Sequence, residues 1–330
     1  MKVEKISDVK VKIDVLRPQP TIGMGNPAIF VKAEKADDKA YSNLTTVSAD
    51  FAEDSAVYKK AAAVFAQANA PKTLHVIKYE EGKIADAAAA YFFEDWHFAL
   101  LAEFEAVDAL ALSNMIEEQE FKLFVVQVAN ATDLAAMQDN EATIGLVHPL
   151  DEALDGALIG NAASLPVGSI TWKFRSNFIG ITAQKMTVLE LAAVHAIHGI
   201  AYIEKAGIPQ TSEGTTLSGE YIDALHGTHW VKANMESGIQ HVLSTTDKLS
   251  FDARGIDLLN ATASNILETA FQQGIILMDG EGKGDYSVTT LAREDLDPAD
   301  IVARNYKGLS FNYKRSGAIH TVEVTGTVEV

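Results

Sequence analysis

The sequence predicts an α/β first part, Rossmann-like or otherwise a three-layer mixed-sheet unit, followed by a less regular α+β part. Three observations carry this reading. Between residues 28 and 165, short apolar runs alternate with Ala-rich stretches of helical spacing. Residues 255–274 place Ile256, Leu259, Ile266, Leu267, Ala270 and Phe271 on one helical stripe. The end of the chain alternates in period two.

The opening sets Val9, Val11, Ile13 and Val15 against Asp8, Lys10, Lys12 and Asp14, a strand or extended arm stopped by Pro18 and Pro20. Residues 28–32 are expected as a strand, 41–47 as a loop, 54–69 as a helix ended by Asn69 and Pro71, and 73–79 as a strand. Residues 85–101 have helical composition, with Tyr91, Phe92, Phe93, Trp96, Phe98 and Leu101 as a broad apolar surface of core type. A helix over 107–119, strands over 121–128 and 143–148, and a helix over 151–165 complete the first part. Pro166 and Gly168 mark the boundary, giving an arm at 1–20, an α/β domain at 21–165, a second domain at 166–318 and a last strand at 319–330. In the second part, strands are expected at 169–174 and 202–205, a helix at 188–198, a polar loop at 207–219, and helix over 218–238 interrupted by Gly227. Strands at 286–291 and 308–313 precede residues 317–330, whose two faces differ sharply and predict a hairpin or paired edge strand.

The 330 residues include no cysteine, which removes disulfides, thiol nucleophiles and Cys-ligated metal centres. The net charge of -18 argues against duplex DNA as a partner, because phosphate contacts need a concentrated basic surface. Residues 1–14 lack the apolar core of a signal peptide, and no apolar run long enough to span a bilayer follows, so a soluble chain without membrane insertion is expected.

Catalytic signals are weak throughout. His195 and His198, and again His226 and His229 beside Asp223, share the i, i+3 spacing of a metal pair but lack the HExxH arrangement. Gly280, Gly282 and Gly284 suggest a phosphate loop, yet the order is wrong for a P-loop and Asp279, Glu281 and Asp285 would repel an anion. Glu117 with Glu118, and Glu152 with Asp155, are acid pairs that nothing places across a pocket. Ser169 and Ser218 lie outside a nucleophile elbow, and Gly23–Gly25 forms no dinucleotide fingerprint. No catalytic, cofactor-binding or metal residue is assigned.

Four stretches in a fixed order carry more. Residues 41–80 give a loop, a helix with a polar break and a short strand; LPVGSITWKF at 165–174 forms a junction. YIEKAGIPQTSEGTTLSGEYIDALHGTHW at 202–230 continues into 251–274, and ARNYKGLSFNYKRSGAIHTVEVTGTVEV at 303–330 closes the chain with Arg304 and the step Gly317, Ala318, Ile319. Together they resemble the tail sheath protein of contractile-tailed bacteriophages, related to sheaths of phage-like bacteriocins and other contractile injection systems. Compared with larger sheaths the chain is short, which implies few surface decorations.

The resemblance implies a structural, non-enzymatic subunit that needs no cofactor, with 166–318 as the sheath core domain. It implies hexameric rings stacked helically around an inner tube, with the tail tube protein, baseplate and tail terminator as partners. It implies location in the virion tail after assembly in the host cytoplasm. Arms matching 3–16 and 319–330 are expected to pair as strands with other subunits, and 255–274 is the expected neighbourhood of the tube-facing surface. From Arg304 onward the bases Arg304, Lys307, Lys314 and Arg315 outnumber Glu323 and Glu329, 4 minus 2, a local +2 expected to meet an acidic face. The competing readings are a hydrolase-like α/β enzyme with an unidentified site and another phage tail or adaptor protein.

Overall fold

The computed structural model describes residues 23–326; the proposed arm at 1–20 and residues 327–330 lie outside them. An eight-stranded mixed sheet organises the first two thirds. Its strands are β1 (Pro27–Lys32), β2 (Asp37–Tyr41), β3 (Leu74–Tyr79), β4 (Phe98–Leu101), β5 (Leu123–Val128), β6 (Thr143–Val147), β7 (Ile200–Lys205) and β8 (Ile208–Thr211), in the order β2-β3-β1-β4-β5-β6-β7-β8. The six inner strands run parallel, and β2 and β8 pair antiparallel at the two edges.

Every residue of β4, β5 and β6 is buried, which requires cover on both faces. The connections supply it. From β1 the chain steps outward to β3 through α1 (Leu44–Ser48) and α2 (Ala56–Phe65), then returns across β1 to β4 through α3 (Ile84–Ala90). Right-handed crossovers in opposite directions place α2 and α3 on opposite faces. Helix α4 (Ala106–Gln119) packs with α3, whereas α5 (Leu154–Ala162) packs with α2. Gly160 permits that second contact, because a Cβ there would sit 2.2 Å from the Val64 carbonyl oxygen.

The sheet continues past residue 166, since β7 joins β6 after α6 (Val188–Ala196). Two long helices follow, α7 (Ile222–Thr245) and α8 (Ala253–Gln273). On α8 the buried residues Leu259, Ala263, Leu267 and Ala270 meet Val231, Met235 and Ile239 of α7 in a second core. An antiparallel pair, β9 (Tyr286–Thr290) and β10 (Leu309–Tyr313), covers that core and encloses the short α9 (Pro298–Val302) in its connection.

Several elements differ from expectation. The helix expected over 85–101 stops at Ala90, and Phe98–Leu101 is a central strand whose burial on both faces hides any period-two pattern. Residues 169–174 form no strand: Phe174 adopts φ +67°, a left-handed turn incompatible with a ladder. The 207–219 loop contains β8, the 41–47 loop contains most of α1, and β2 precedes it. Gly227 does not interrupt α7, because it is needed for contact: a Cβ there would lie 3.0 Å from Ile275 Cγ2. Within residues 317–326 there is neither hairpin nor strand in the isolated chain.

Candidate functional site

The histidines singled out on α7 form a junction between the two parts of the chain. His226, His229 and Lys232, each three residues after the last, share one helical face. His226 Nε2 donates to the Met24 carbonyl at 2.8 Å, and Lys232 Nζ donates to the Glu120 carbonyl at 2.9 Å. His229 Nδ1 lies 3.1 Å from His97 Nε2, while the His97 and His226 rings stack at 5.3 Å. Such a bond between imidazoles requires one donor and one acceptor, so the two rings are not both protonated. Burial pushes the pKa of all three histidines down, that of His226 to about 4, with nearby cations adding to the effect at His97 and His229. Burial also lowers Lys232 to about 8 and holds Lys122 well below the ordinary lysine range. Lys122 lies 3.6 Å from the centre of the Trp96 ring and donates to the Trp96 carbonyl.

This is an adhesive seam rather than a catalytic constellation. Asp223 sits apart from it, lining a small cleft with Arg315 and Ser316. His195 bonds Ser212 Oγ at 3.0 Å, whereas His198 lies beyond the end of α6 at φ +56°. Among the described residues, no group of three or more His, Asp or Glu side chains is placed to hold a metal ion. His97, Lys122 and Lys232 were not singled out in the sequence; His97 fell inside the stretch read as helix.

Three of the four paired acids are occupied by structural contacts, and Glu118 is exposed. Glu152 accepts from the Thr182 backbone at 2.7 Å and lies 3.0 Å from His148 Nε2, and Asp155 pairs with Lys60 at 2.5 Å. Glu117 accepts from Ala142 N at 2.8 Å. In the glycine-rich loop, Asp279 Oδ1 accepts from Glu281 N at 2.8 Å and Lys283 N at 2.9 Å, a turn that turns a carboxylate onto the free amides. Ser169 Oγ donates to the Pro166 carbonyl at 2.6 Å, and Ser218 Oγ stands 3.1 Å from Thr216 Oγ1. No helix among the described residues is long and apolar enough to cross a membrane.

The features suited to assembly lie at the C-terminal end. The sheet of β9 and β10 has only two strands, so each has one side without a ladder partner among the described residues. Beyond β10 in the chain, residues 321–326 are all exposed, and Ile319, Val322 and Val324 are 78%, 72% and 88% exposed. Three β-branched side chains left in water on one short segment mark a surface that no other described residue covers. Three of the four bases expected there pair within the chain: Lys307 with Asp300 at 2.6 Å, Lys314 with Asp285 at 2.8 Å and Arg315 with Glu220 at 3.3 Å.

No protein-family model matches the sequence, and no curated protein does. Solved structures match over the whole chain. A chain of the anti-feeding prophage baseplate, sixfold symmetrised, superposes with a TM-score of 0.74 at 10% identity, covering 99% of this chain and 100% of that one. A chain of an extracellular contractile injection system, the PVC sheath complex in its contracted state, gives 0.71 at 10% identity, covering 100% and 99%. The sheath tail protein from Desulfitobacterium hafniense gives 0.58 at 9% identity, covering 93% and 100%. This chain shares its fold with chains in the sheath and baseplate structures of contractile injection systems.

Proposed function

We propose that the chain is the structural subunit of a contractile tail sheath, forming stacked hexameric rings around an inner tube and contracting to drive that tube through a host envelope. The observation that carries the proposal is the shared fold, which spans 99–100% of this chain and of the contractile-system chains. On this reading the division into an arm at 1–20, domains at 21–165 and 166–318 and a linking strand at 319–330 is one of function, with β7 and β8 returning to the first sheet across it.

The arms at 3–16 and 319–330 add strands to the open sides of β9 and β10 in other subunits, where main-chain hydrogen bonds supply adhesion without dedicated side chains. Alternation on β9 and β10 favours this, since Tyr286, Val288, Phe311 and Tyr313 pack on the second core while Ser287, Thr289, Ser310 and Asn312 face out. The tube-facing surface is the outer side of α8, where Asp257, Leu258, Ala261, Asn265 and Thr269 remain exposed. The tube, baseplate and terminator proteins are the partners, and the chain resides in the virion tail after assembly in the host cytoplasm. Contraction draws on a metastable extended lattice and not on a nucleotide.

Electron microscopy of the purified chain, alone and co-produced with its tube protein, tests this directly. Hollow tubes of stacked sixfold rings are expected. Dispersed subunits under both conditions, or closed rings that never stack, would contradict a propagating sheath.

A further inference from the structure

The C-terminal segment is held to the body at two places, and the second is a single side chain. Residues 314–316 are tied down by Lys314 N to the Asp285 carbonyl and Ser316 N to the Ile275 carbonyl, both at 2.9 Å. From Lys314 to Gly326 every residue is exposed except His320. His320 Nε2 lies 2.8 Å from Thr171 Oγ1. Its ring meets Tyr221 edge-on at 5.0 Å and 84°, and Phe174 at 6.1 Å and 77°. No other hydrogen bond involves residues 317–326 among the described residues.

The slot that receives this ring is made from rigid parts. Phe174 is a bulky residue at φ +67°, a conformation that persists only where its surroundings impose it. Those surroundings are β8: Phe174 N donates to the Thr211 carbonyl at 3.2 Å, and Thr211 N donates to the Arg175 carbonyl at 2.9 Å. Tyr221 is the residue that opens α7, and Thr171 adjoins the fully buried Trp172. One wall therefore belongs to the edge of the large sheet, one to the start of the longest helix and one to the junction segment.

We propose that His320, seated among Thr171, Phe174 and Tyr221, is the anchor that fixes where the C-terminal segment leaves the body and so positions residues 321 onward for pairing with a second copy of this chain. This rests on the reading of 319–330 as a linking strand. A strand that must pair with another molecule loses less freedom on binding if its root is already held. The anchor also gives a pull on the segment a defined path, into β8 and the first turn of α7.

Because the native chain has no cysteine, Val322→Cys gives a unique spin-label position in the full chain. In the dispersed protein, His320→Ala is expected to raise label mobility severalfold, while His320→Phe, which keeps the ring and loses the hydrogen bond, falls between. Circular dichroism and melting temperature stay near native for both. In the same chains without the label, the concentration needed to form tubes rises about tenfold for His320→Ala. Unchanged mobility in His320→Ala overturns the anchor. If a chain ended at 318 forms no tubes while His320→Ala forms them at the native concentration, the linking strand survives and the anchor falls. If the shortened chain forms normal tubes, the linking strand fails, and the anchor's role in assembly fails with it.

Discussion

Strands β5 and β10 belong to the same chain and follow opposite rules. All of β5 is buried between two ladder partners and two helical layers, whereas alternate residues of β10 face solvent and one of its sides has no partner among the described residues. The first is completed by its own chain. The second, with the exposed segment beyond it, has the backbone and side-chain character of something completed by another molecule. Stability and assembly should therefore respond to different substitutions.

The largest loss of stability is expected in the closed region. Phe98, fully buried on β4 against Trp172 and His226, should cost about 3–5 kcal/mol as Phe98→Ala, read from the urea midpoint at unchanged slope. Gly160→Ala pushes a Cβ toward a backbone carbonyl that cannot move alone, so α2 and α5 must separate; about 1–3 kcal/mol is expected in the same measurement.

Acid should act at the seam. The seam histidines have folded pKa values below their unfolded value, so the neutral folded form is favoured and the unfolded chain binds more protons as pH falls. Their contribution is fully present above about pH 6.5 and is lost as pH falls from there toward the folded values. For His226, with a folded value of about 4, the loss between pH 7.5 and 5 is about 2 kcal/mol. Urea titrations at the two pH values measure it. Equal midpoints would contradict neutral burial of the cluster.

The smallest effect is expected where the sequence alone suggested an electrostatic contact between subunits. Lys314 and Arg315 already pair within the chain, so the double variant Lys314→Glu, Arg315→Glu should melt close to the native temperature and keep most of its assembly at moderate salt. A complete loss of tubes that high salt restores would return these residues to the interface.

Much of the fold was legible because periodicity survives wherever an element has one wet face. Helices α2, α4, α7 and α8 announced themselves this way, as did β9 and β10, where burial alternates residue by residue. Strand β4 was hidden for the opposite reason: covered on both faces, Phe98–Leu101 is uniformly apolar and merges with the aromatic stretch that follows α3. Strand β8 is short and half polar, and only its pairing with β7 makes it a strand. At the seam, the spacing of His226 and His229 correctly indicated one helical face. Its counterpart His97 was lost with β4, so the pair looked like metal ligands in search of a third. His320 gave no local signal, since its slot comes from residues about 100–150 positions earlier.

One paired measurement bears most directly on the division between a self-sufficient body and an unfinished end. The chain ended after residue 318 is compared with the full chain in thermal melting and in electron microscopy of tubes. The expected result is a melting temperature near native together with loss of tubes. Tubes of normal length from the shortened chain, or a melt that collapses when the exposed segment is removed, would contradict it.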